Sequence, residues 1–104
     1  MKHNSTKILG ILGNPLRQSM SPTLHNYWLK KYRLDSYYCK FQLEKIDTIN
    51  KAIKALNIKG LNVTIPYKKK IIGHLDKIDK TAALLDAVNT ISNNAVSYTH
   101  LTLP

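Results

Sequence analysis

The chain has 104 residues, 43% of them hydrophobic and 21% charged, which suits one compact domain and argues against wholesale disorder. Its formal charge of +10 invites a nucleic-acid reading, but the cations are 14 Lys and only 2 Arg, Arg17 and Arg33, and phosphates and base edges are read mainly by Arg. The lysines are spread along amphipathic segments, as on solvated faces, so nucleic acid is not expected as a partner. A single cysteine, Cys39, cannot form an internal disulfide, and no secretory signal and no apolar run of about eighteen residues is present, so a cytoplasmic protein without a membrane partner is expected. Cys39 reads as a small buried hydrophobe. His3, His25, His74 and His100 share no ligand spacing with it, so no metal site is expected.

Taken in chain order, the apolar run Lys7 to Gly13 predicts a buried strand, and Gly13-Asn14-Pro15 predicts a turn after it. From Ser21, with Pro22 at the first helical position, a helix is predicted whose apolar stripe is Leu24, Tyr27, Trp28 and Tyr32. Tyr37 to Gln42 reads as a second strand. Leu43 to Leu56 reads as a second helix, with Ile46, Ile49, Ile53 and Leu56 on one face and closure near Gly60. A short third strand at 61–64 leads to Pro66, which is expected to open a helix reaching Leu75 and broken around Gly73. Ile78 to Leu85 is a further helix and 87–91 a strand. Strands alternate with helices, which favours α/β: three layers, α/β/α, around a mostly parallel sheet. The last residues, 95–104, read as an edge strand or a foreign end.

Three constellations could carry chemistry. Ser19 and Ser21 flank the predicted helix entrance, where unpaired amides and two hydroxyls could converge on a carboxylate or phosphate. Plain capping by Ser21, with Ser19 idle in the loop, fits the same letters. Next comes Asn62-Val63-Thr64-Ile65-Pro66-Tyr67-Lys68. Asn62 and Thr64 share strand parity, and Lys68 falls in the first turn of the expected helix, where the macrodipole opposes a cation and general acid/base work becomes attractive. A solvated basic turn of Lys68, Lys69 and Lys70 is the alternative. In Ala87-Val88-Asn89-Thr90-Ile91, a buried Asn89 amide must bond either to backbone or to a ligand. Gly10 and Gly13 lie inside a strand, so they form no dinucleotide loop.

Together, Gly13-Asn14-Pro15, Ser19-Met20-Ser21-Pro22 with His25-Asn26, Asn62 through Lys68, and Ala87 through Ile91 resemble the shikimate dehydrogenase family over roughly Lys7 to Ile91. The resemblance implies the substrate-binding domain, residues 1–91, of a two-domain enzyme that uses NADP to interconvert 3-dehydroshikimate and shikimate. It implies that Ser19 and Ser21 hold the substrate carboxylate, that Thr64 and Asn89 bind ring hydroxyls, and that Lys68 is the catalytic acid/base and touches substrate. Asp86 stands where the family usually has glycine, and Tyr67 where it usually has phenylalanine. The family's aspartate motif and Rossmann domain do not follow Ile91, and residues 92–104 read as an atypical tail, foreign or frameshifted. The chain as written is thus expected to bind substrate without turning it over. A quinate-using relative and a stand-alone basic binding module are the competing readings.

Overall fold

A computed structural model describes residues 6–93 and 98–101 of the chain. β1 (Lys7–Gly13) is an interior strand, as suits residues that are apolar on both faces of the pleat with no charge after Lys7. It pairs in parallel with β2 (Ser36–Gln42) on one side and β3 (Ile58–Val63) on the other, then β4 (Thr90–Asn93) and β5 (Tyr98–Leu101) add antiparallel beyond β3. The order is β2-β1-β3-β4-β5, and only β4 runs against the other four strands. The sheet is therefore mostly parallel in direction, as expected.

Alternation along β1 sends its side chains into two cores. Ile8 and Leu12 join the larger one, with Ile49 and Ile53 of α2 (Ile49–Leu56), Ile71, Ala82 of α3 (Lys80–Leu85), Val63 and Ile91. Leu9 and Ile11 join the smaller one on the opposite face, with Leu16, Tyr38 and Leu29 of α1 (Ser21–Lys31). Helices on both faces give the α/β/α sandwich. α2 is held by two side chains, each 1% exposed, and burying an isoleucine this fully contributes roughly 1.5–3 kcal/mol.

Several local expectations are corrected. Leu43–Lys45 stay outside the second helix, which is entered through a 3₁₀ turn at Ile46–Thr48. That helix ends not at Gly60 but at Asn57, which takes the left-handed conformation at φ 48, so β3 starts three residues early, at Ile58. The expected stripe of α1 points outward: no residue of α1 is buried, and Leu24, Tyr27, Trp28 and Tyr32 are all exposed. The outer aromatics pack on one another instead, Trp28 stacking on Tyr32 at 5.9 Å with the Lys31 ammonium 5.0 Å above the indole. Periodicity alone could not choose between the aromatic face and the face carrying Ser21, His25 and Leu29. The fourth helix starts at Lys80, not Ile78, because the Asp79 carboxylate accepts from the Ala82 amide at 2.6 Å as an N-cap. Residues 92 and 93 complete β4, and the edge strand expected near the end is β5; residues 94–97 and 102–104 of the tail lie outside those described.

Candidate functional site

The loops that leave the carboxyl ends of β1 and β3 run side by side. Asn14 N–H donates to the Ile65 carbonyl at 3.0 Å, and Thr64 N–H to the Leu12 carbonyl at 2.9 Å. Gly13 permits this approach, since a Cβ there would run into the Thr64 methyl and lie 3.0 Å from the Ile65 carbonyl oxygen. The Leu43 carbonyl completes the junction by accepting from Asn14 Nδ2 at 3.0 Å and from the Tyr67 hydroxyl. Between the loops lies a cleft of about 470 Å³, lined by Pro15, Arg17, Gln18, Ser19, Thr64 and Ile65 among others. Ligands of open α/β sheets bind beyond such strand ends.

Ser21 is not the cap of α1. Met20 holds the N-cap position, with no side-chain cap bond, and Pro22 falls one position later than expected. The Ser19 hydroxyl accepts from the Ser21 amide at 3.3 Å, so Ser19 is not idle either. The phenol of Tyr38 donates to Asn62 Oδ1 at 2.7 Å. Burial pushes the Tyr38 phenol up to about 12, against a smaller lowering by the nearby Ser21 hydroxyl.

Lys68 and Asn89 arrive by backbone pairing. Val88 N–H donates to the Lys68 carbonyl and Val63 N–H to the Asn89 carbonyl, both at 2.8 Å, which sets both residues beside the end of β3. The Asn89 amide oxygen also accepts from Thr90 Oγ1 at 3.1 Å. The expectation that Pro66 opens a helix fails: residues 64–67 form a turn closed by Tyr67 N–H on the Thr64 carbonyl at 3.0 Å, and a 3₁₀ helix begins only at Lys70. Lys68 therefore has no helix macrodipole at its back, and its side chain is exposed.

Of the sequence-predicted residues, the structure thus brings Ser19 and Thr64 to one cleft, sets Ser21 in the first turn of α1, and holds Lys68 and Asn89 by backbone pairing beside the end of β3. Tyr38, His25 and Asn26 are what residue-level reasoning did not single out as working parts. The His25 ring stacks on Tyr38 with centroids 4.2 Å apart, and the Asn26 amide both donates to the Tyr38 carbonyl at 2.9 Å and accepts from its amide at 2.8 Å. Strand parity separates Tyr38 from Tyr37 but puts it on the face of the exposed Lys40, so no sequence signal marked it as buried.

The sequence profile described as the shikimate dehydrogenase substrate binding domain matches residues 11–91. The chain belongs to that shikimate dehydrogenase family. It is 48% identical over 90 residues to the shikimate dehydrogenase (NADP(+)) of Syntrophomonas wolfei, covering 85% of this chain and 31% of that protein. Shikimate dehydrogenase 1 of Peptoclostridium difficile superposes with a TM-score of 0.86 at 35% identity, over 92% of this chain and 36% of its own. The shikimate 5-dehydrogenase of Listeria monocytogenes, solved in complex with shikimate and NAD, also gives 0.86 at 35% identity, over 92% of this chain and 34% of its own. The chain spans about a third of the length of these shikimate dehydrogenases.

Both departures from the family pattern now have a physical account. Asp86 ends α3 at φ 54, the left-handed conformation glycine takes without strain and aspartate tolerates. Tyr67 is buried, and its hydroxyl is satisfied by the Leu43 carbonyl.

Proposed function

We propose that this chain is the substrate-binding part of an NADP-dependent shikimate dehydrogenase, which reversibly reduces 3-dehydroshikimate to shikimate on the cytoplasmic route to chorismate and the aromatic amino acids. The observation that carries the reading is the shared cleft of Ser19 and Thr64, built where β1 and β3 end, with Lys68 and Asn89 held by backbone pairing beside the end of β3. Ser19 and Ser21 hold the substrate carboxylate, Thr64 and Asn89 bind ring hydroxyls, and Lys68 exchanges a proton at the substrate oxygen that becomes carbonyl or hydroxyl. A flexible ammonium with three donors suits that exchange.

The roles proposed for this chain are binding, orientation and proton exchange.

Shikimate titration of the ¹⁵N-labelled chain tests the reading. Saturable shifts at Ser19, Ser21 and Thr64 are expected, and Ser19→Ala should weaken binding by about three- to tenfold, as one lost hydrogen bond to a charged group would. No saturable binding, or shifts confined to residues away from the cleft, would refute it.

A further inference from the structure

α1 carries Ser21 yet is not anchored by burial. No residue of the helix is buried, and Leu29 is only partly covered where it packs against the smaller core. A polar clamp holds the helix instead. The Asn26 side chain donates from Nδ2 to the Tyr38 carbonyl at 2.9 Å and accepts at Oδ1 from the Tyr38 amide at 2.8 Å. β2 is an edge strand, so the Asn26 amide occupies the position that a further strand would take. The two bonds also fix which end of the amide is which, since a turned amide would set donor against donor and acceptor against acceptor. The loop before the helix is tied to the same strand: the Leu16 amide donates to Gln42 Oε1 at 2.8 Å, and the Lys40 ammonium donates to the Arg17 carbonyl at 3.3 Å. Tyr38, Lys40 and Gln42 are alternate residues of β2, so the segment from Leu16 to Asn26 runs along the edge strand and is fastened at both ends. Ser19 and Ser21 lie between the fastenings.

We propose that Asn26 is a positioning residue: by fixing where α1 stands along β2 and how it is turned about its own axis, it sets where the serine hydroxyls meet a substrate carboxylate. This deepens the shikimate reading and rests on it for the placing of the carboxylate. Ser21 and Asn26 belong to one helix, about 7.5 Å apart along its axis, so any slide or turn of α1 at Asn26 reaches Ser21 undiminished. A hydrogen bond weakens beyond about 3.2 Å, and a misplacement of about 1 Å is enough to lose one. Apolar contact is non-directional and tolerates such a slide, whereas two paired hydrogen bonds to a strand do not. The other attachments cannot substitute for the clamp. Gln42 and Lys40 hold the loop rather than the helix, and the His25 ring, stacked on Tyr38 with centroids 4.2 Å apart, can be offset at little cost.

The test uses the full chain and shikimate. Asn26→Ala removes both clamp bonds and leaves Ser19, Ser21 and Thr64 unchanged, so shikimate should bind about three- to tenfold more weakly. Ile53→Val, which thins the larger core on the opposite face of the sheet, is the control for lost stability: it should lower the urea midpoint and leave shikimate affinity within about twofold. A second measurement needs no substitution. If opening the clamp weakens shikimate binding by some factor, shikimate must suppress the opening by the same factor, and the Tyr38 amide, whose hydrogen lies on Asn26 Oδ1, exchanges with solvent through that opening. Saturating shikimate should therefore slow Tyr38 amide exchange about three- to tenfold beyond any slowing of the α2 amides, which report general stabilisation by the ligand. Asn26→Ala with an affinity within about twofold of the unsubstituted chain, or Tyr38 exchange that slows no more than that of α2, would overturn the positioning role and leave the shikimate site standing. Failure of the unsubstituted chain to bind shikimate would remove the site and the role together. The exchange measurement decides the matter even if Asn26→Ala does not fold.

Discussion

Alkaline unfolding puts the burial of Tyr38 to a quantitative test. Burial raises its phenol from 10.0 to about 12, while the unfolded chain returns it to water. Below pH 10 both states hold the proton, and stability does not depend on this group. Between pH 10 and pH 12 the unfolded state releases a proton that the folded state keeps, so unfolding binds fewer protons and the free energy of unfolding falls as pH rises. Each unit of difference is worth about 1.4 kcal/mol, so the loss across the window is about 2–3 kcal/mol. Other tyrosines and the lysines titrate in the same range, and the comparison with Tyr38→Phe removes them. The assay is urea unfolding followed by circular dichroism at pH 9, 10, 11 and 12 for both proteins. The stability advantage of the unsubstituted chain over Tyr38→Phe should shrink by about 2–3 kcal/mol between pH 9 and pH 12. A difference that stays constant would show that the phenol ionises as freely folded as unfolded, and the argument from its burial would fail.

Two further substitutions probe the frame around the site. Gly13→Ala places a methyl group against the Thr64 side chain and the Ile65 carbonyl, and overpacking of this kind costs about 1–3 kcal/mol; a lower urea midpoint together with weaker shikimate binding is expected, and normal values for both would show that the β1 and β3 loops are not in contact. Asp86→Gly relieves a non-glycine residue at φ 54 and gives up only an exposed Lys69 pair at 3.9 Å, so it should stabilise the chain by about 0.5–1.5 kcal/mol in the same unfolding assay; destabilisation would contradict the left-handed cap.

The elements of the fold could be read from the chain because they depend on local patterns. The apolar run of β1, the Ile49 and Ile53 spacing of α2 and the proline-marked turns each hold their information within a few residues, and alternation of strand and helix already implies helices on both faces of a mostly parallel sheet. Ser19, Ser21, Thr64, Lys68 and Asn89 were named for the same reason, as polar residues standing at the ends of apolar elements. Tertiary structure decided everything that required two distant segments to meet. The choice of inward face on α1 went to the side that packs Leu29 and stacks His25 on Tyr38, because that side matches β1 and β2 while the aromatic stripe satisfies itself in solvent. The helix expected at Pro66 gave way to a turn closed by Tyr67 N–H on the Thr64 carbonyl, with Thr64 N–H, the Ile65 carbonyl and the following Lys68 carbonyl pairing with Leu12, Asn14 and Val88 on other segments. The phenol of Tyr38 reaches Asn62, 24 positions away along the chain, and a hydrogen bond over such a separation exists only once the sheet has set β2 and β3 on either side of β1.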